Sequence, residues 1–119
     1  MAINTTYTLT ETPSQQTGQI AVGKIVFGAD SITATDYIEI ECGFKPKYVK
    51  VINVTDRIAV EHYEGMTDDT CVKTAANGAV TLETTNKGVT LQTNGFKVSQ
   101  NATLAVIAAS KTLQYIAFA

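Results

Sequence analysis

The chain has 119 residues, 45% of them apolar and only 17% charged, with a net charge of -2. This length suits one domain whose core needs no obligatory disulfide or metal, and the apolar share excludes general disorder. The slightly acidic balance gives no reason to expect a nucleic-acid or anionic-membrane partner.

Residues 4 to 19 stand apart, with six Thr, Gln15-Gln16, Pro13 and Gly18, and with Tyr7 and Leu9 as the sizeable apolar side chains. Ile3, Thr5, Tyr7 and Leu9 alternate and predict a strand, while Glu11 to Gln19 reads as a loop or extended arm. Residues 1–19 are thus expected to form an N-terminal strand or arm and residues 20–119 the body of the domain. Ile20 to Phe27 predicts a strand closed by Gly28-Ala29-Asp30. Tyr37 to Cys42 places Ile38, Ile40 and Cys42 on one face and Glu39 and Glu41 on the other, a half-buried strand of period two.

Gly43-Phe44-Lys45-Pro46 then turns the chain, since Pro46 cannot donate to a central ladder. Tyr48 to Val54 is apolar on both faces, the pattern of a strand covered on both sides. Thr55-Asp56-Arg57 joins it to Ile58–Glu64 as a hairpin. Gly65 to Ala76 is expected to be a loop with at most a turn of helix. Asn77-Gly78, Asn86-Lys87-Gly88 and Asn94-Gly95 punctuate strands at Ala79–Thr84, Val89–Thr93 and Phe96–Ser99, because Asn-Gly supplies the positive φ angles of tight hairpins. These predict a meander. Two apolar runs, Ala102–Ala109 and Thr112–Ala119, predict a closing hairpin packed in the core or against another subunit. About nine or ten short antiparallel strands imply an all-β fold, a single-domain sandwich or barrel with an extended N-terminal arm.

Motifs for chemistry are absent. His62 is the one histidine, and alternation sets it on the Ile58 and Val60 face, the position of a packed or interfacial residue rather than a base beside a nucleophile. No phosphate loop, HExxH or EF-hand pattern occurs. Asp68-Asp69 lacks the ligand spacing of a hard-cation loop and reads as a solvated turn. Cys42 and Cys71 have no CxxC spacing and read as small buried hydrophobes. No cofactor or metal is expected.

Lys45, Lys47, Lys50 and Arg57, interleaved with Phe44 and Tyr48, are compatible with base stacking, with lysines guarding a strand edge, or with docking on an acidic protein lattice. The last fits a contact protein best. Tyr37, Tyr63 and Tyr115 could form a sugar platform, though each alternates within a strand as a core or interface residue would. Nothing nears the ~18 apolar residues of a membrane span. The N-terminus carries no secretory pattern, so the chain is expected to fold in a cytoplasm, leaving the sequons at Asn4, Asn53 and Asn101 without consequence.

Gly43 to Asp56, Gly-Phe-Lys-Pro-Lys-Tyr-Val-Lys-Val-Ile-Asn-Val-Thr-Asp, followed by Glu61-His62-Tyr63-Glu64-Gly65-Met66, resembles small structural proteins of tailed bacteriophages. Ala109-Ser110-Lys111 with Leu113-Gln114-Tyr115 is similar to that group's closing hairpin. His62-Tyr63 departs from the aromatic pair such proteins carry before Glu-Gly-Met. The likeness covers roughly residues 43–119, and its motifs are structural rather than catalytic. It implies a non-enzymatic virion protein, made in the host cytoplasm: a capsid decoration (cement) protein that binds and stabilises the head shell, or a receptor- or glycan-binding module of a tail or head appendage. The partners implied are the major capsid protein or other virion subunits, and further copies of the chain, a trimer being one candidate. Contact residues expected for such a role are Tyr7, Leu9, Lys45, Lys47, Tyr48, His62, Tyr63, Tyr115 and Phe118.

Overall fold

Among the described residues, short β-branched runs of period two fold into nine strands: β1 (Ile20–Val26), β2 (Tyr37–Glu41), β3 (Tyr48–Asn53), β4 (Ile58–Tyr63), β5 (Cys71–Thr74), β6 (Val80–Glu83), β7 (Val89–Gln92), β8 (Gly95–Ser99) and β9 (Thr112–Phe118). The computed structural model describes residues 19–29 and 36–119, so the expected Ile3–Leu9 strand and the arm bearing Tyr7 and Leu9 lie outside the described residues. Every ladder is antiparallel. A six-stranded sheet has the order β1-β9-β3-β4-β5-β6, and a three-stranded sheet has the order β2-β8-β7. Together they make a β-sandwich.

The core lies between the sheets. Val49, Val51, Val60, Leu113 and Ala117 from the larger sheet meet Ile40, Val89, Phe96 and Val98 from the smaller. Phe96 packs edge-on to Tyr115, with ring centroids 5.6 Å apart. One bridge, between Thr70 and Val89, ties the layers. It lies beside fully buried His62, whose Nδ1 is 2.7 Å from the Thr70 carbonyl. A carbonyl can only accept, so Nδ1 carries the proton and donates.

Four expectations need correction. Ala102–Ala109 is not a strand, and there is no closing hairpin. Thr103 N donates to Asn101 Oδ1, while Leu104 N and Ala105 N donate to Asn101 O. Ala105 then takes a φ of 63°. This local bonding curls the run into turns that push Leu104, Val106 and Ile107 into the core. β9 pairs instead with β1 and β3.

Second, the stretch expected as a loop contains β5, because β4 and β6 offer ladders on both its sides. Third, the Asn-Gly signals do not make one meander. Asn77-Gly78 turns β5 into β6 and Thr93-Asn94 turns β7 into β8, whereas Asn86-Lys87-Gly88 carries the chain from one sheet to the other. Gly88 passes so close to the Thr70 backbone that a Cβ there has no room.

Fourth, among the described residues β3 is covered on one side only. Val49, Val51 and Asn53 are buried, while Tyr48, Lys50 and Ile52 are half-exposed on the outward face.

Candidate interaction surface

Register arranges the outward face of the six-stranded sheet into rows. Ile20 on β1 lies opposite Phe118 on β9, Phe118 opposite Tyr48 on β3, and Tyr48 opposite Tyr63 on β4. The rings touch in series: Tyr48 stacks on Phe118 at 5.6 Å, and Tyr63 tilts against Tyr48 at 5.0 Å. Offset and tilted aromatic pairs of this kind are attractive beyond the area they bury. The next row runs Val22, Ile116, Lys50, Glu61, Val72, Leu82 across all six strands. A third carries Ile52, Ala59 and Val80.

Of nine large hydrophobics exposed among the described residues, seven (Ile20, Val22, Val26, Tyr63, Val80, Leu82 and Phe118) lie on this face. Val22 is 71% and Leu82 67% exposed. Contiguous exposure of this kind marks contact surfaces, whereas single exposed hydrophobics mark nothing. A depression of ≈ 190 Å³ lies over β1, β9 and β3, lined by Val22, Lys50, Ile52, Gln114 and Ile116. Glu61 is the main polar anchor: its Oε2 accepts from Tyr48 Oη at 2.6 Å. Partial burial, with that carboxylate as acceptor, raises the phenol pKa above its ordinary value and keeps Tyr48 neutral.

The structure thus gathers Tyr48, Tyr63 and Phe118 into one row. Lys47 joins them through the backbone, its N–H donating to Phe118 O and its carbonyl accepting from Glu64 N. Lys45 is exposed on the loop leading into β3. His62, 1% exposed, and Tyr115, packed on Phe96, face the core instead. Arg57 lies at the opposite end of β3 from Lys45 and Lys47, roughly 20 Å away along six strand residues, so these cations form no single basic patch. Ile20, Val22, Val72, Val80 and Leu82 were not singled out from sequence. Their signal was faint: exposed-face apolar residues on strands whose neighbours alternation does not reveal.

The smaller sheet's outward face is polar. Tyr37, Glu39, Lys97, Thr90 and Gln92 line it, and Lys97 Nζ sits 4.4 Å over the Tyr37 ring. A recess of ≈ 400 Å³ opens beside Tyr37, lined also by Asp36, Asp68, Asp69, Asn86 and Ser99. Asp69, at φ 61°, accepts from Asn86 N at 2.6 Å and Ser99 Oγ at 2.5 Å, so its two oxygens are engaged in holding loops together. Among the described residues no group of three or more His, Cys, Asp or Glu is placed to hold a metal ion. Both cysteines are free thiols, Cys71 buried and Cys42 half-buried.

No protein-family model, curated protein or solved structure matches this chain.

Proposed function

We propose that this protein is a non-enzymatic structural protein of a tailed-phage virion, a capsid decoration protein that binds the head shell and stabilises it. The virion setting rests on the resemblance of residues 43–119 to such proteins. The contact role rests on one observation, the uncovered apolar face of the six-stranded sheet. β3 has the composition of a strand covered on both sides, yet one side has no layer over it among the described residues. Its partner in this reading is the major capsid protein or another virion subunit. Many copies on a shell turn modest apolar contacts into firm attachment through avidity.

Localising the protein on intact particles, with its copy number, tests this reading. Many copies over the head support decoration; copies at one vertex move the protein to an appendage; none on the particle ends the proposal. Phe118→Ser should lower occupancy while leaving the isolated fold intact, because Phe118 lies on the exposed face.

A second reading, a glycan- or receptor-binding module of an appendage, draws on the recess beside half-exposed Tyr37. An aromatic ring bordered by carboxylates, hydroxyls and an amine is suited to a polyhydroxylated ligand. It requires glycan-array binding by the isolated protein that Tyr37→Ala abolishes, and an empty array removes it.

A further inference from the structure

We propose that two copies of this chain pair edge to edge through β1, antiparallel and centred on Gly23, to give one continuous twelve-stranded sheet. Such a pair forms in solution and does not depend on decoration of a particle.

β1 is the outermost strand of the larger sheet, with β9 on one side and no strand beyond it among the described residues. Hydrogen bonds set which residues face that open side. Ala119 N donates to Gln19 O and Phe27 N donates to Lys111 O, whereas Phe118 O and Thr112 O accept from the β3 side. Antiparallel ladders alternate bonded and non-bonded pairs. Gln19, Ala21, Gly23, Ile25 and Phe27 therefore bond toward β9. Ile20, Val22, Lys24 and Val26 turn both N–H and C=O to the open edge.

The same four residues carry their side chains on the exposed outer face, so backbone and side chain are uncovered together. Proteins blunt long apolar edges with charges, prolines or bulges. Across seven residues β1 has only Lys24.

Self-pairing has few registers, because open-edge residues must face open-edge residues. Centring on Lys24 sets two ammonium groups against each other, which is repulsive. Centring on Val22 sets Val26 against position 18, outside the described residues, and pairs only Ile20, Val22 and Lys24 among the open-edge residues of β1. Centring on Gly23 pairs Ile20 with Val26 and Val22 with Lys24, in both directions, and engages every open group. Four bonded pairs exchanging two hydrogen bonds each give about eight, within the roughly 10 ± 5 of a typical interface. A two-fold contact of this kind closes on itself, so it yields a pair rather than a ring of three. It also joins the two outer apolar faces into one.

Sedimentation of the full chain across a concentration series, with amide exchange on the same samples, tests the proposal. The expected result is a reversible dimer, with protection of the Ile20, Val22, Lys24 and Val26 amides rising with concentration. Val22→Pro should abolish the dimer and keep the monomer's circular dichroism, because this N–H is not used by β9. The register has its own test. Val22→Glu meets Lys24 of the other copy twice and should tighten the dimer about threefold to tenfold, whereas Val22→Lys should loosen it similarly. A monomer at every concentration, protection independent of concentration, a dimer indifferent to Val22→Pro, or equal weakening by Glu and Lys overturns the proposal.

Discussion

Asn53 has no exposed surface, and its side chain satisfies three groups at once. Nδ2 donates to Asp56 Oδ2 at 3.1 Å and to the Ala105 carbonyl at 3.0 Å, and Oδ1 accepts from Asp56 N at 3.0 Å. It closes the β3–β4 turn and pins the distant Ala102–Ala109 segment. Asn53→Ala removes these bonds and leaves half-buried partners unpaired, so it should cost about 1–3 kcal/mol, read as a lower urea midpoint at unchanged slope. Cys71 makes a pH-dependent prediction. Burial, reinforced by the nearby Glu83 carboxylate, pushes its thiol from 9.0 up to about 12. Below pH 9 folded and unfolded chains both keep this proton. Between pH 9 and 12 the unfolded chain loses it first, so stability falls as pH rises. Cys71→Ala should flatten that alkaline decline in urea titrations, and the native thiol should resist alkylation at pH 8. Residue-level reading from sequence foresaw His62 on the Ile58 and Val60 face and Cys71 as a buried thiol. It could not foresee the Asn53 network, because Ala105 lies 52 positions away.

At the scale of elements, period two was enough to locate most strands. Tyr37–Glu41 shows the expected split, Ile38 and Ile40 inward and Glu39 and Glu41 outward. The same alternation misled at Ala102–Ala109, where capping by Asn101 won over extension, and it failed to mark β5, whose four residues extend because two neighbours bond them. Gly95 shows how an element depends on a distant strand. Opposite Glu41 on β2, a Cβ at this position would run into the Ile40 carbonyl oxygen. A backbone atom cannot move aside cheaply, so Gly95→Ala should destabilise the fold by about 1–3 kcal/mol. Amides of β2 should then exchange faster than those of β3.

For the whole molecule, the decisive feature is the contrast between its two outer faces, one apolar and aromatic, the other polar. If attachment runs through the apolar face, it should survive or strengthen in sulfate, which favours apolar burial. Docking by Lys45 and Lys47 on an acidic lattice would weaken with added salt instead. Measuring occupancy on particles across a salt series separates the two. The sequence by itself determined an all-β chain and the inward and outward parity of most strands, and it offered Tyr48, Tyr63 and Phe118 only as three of nine separate contact candidates. Parity is local, set by alternating side-chain directions along one strand. Only the tertiary structure decided that Phe118 lies between Ile20 and Tyr48 and that, among the described residues, β1 ends the sheet and β3 is bare on one side. Those facts depend on which strands become neighbours, and neighbours are chosen by ladders between residues far apart in the chain.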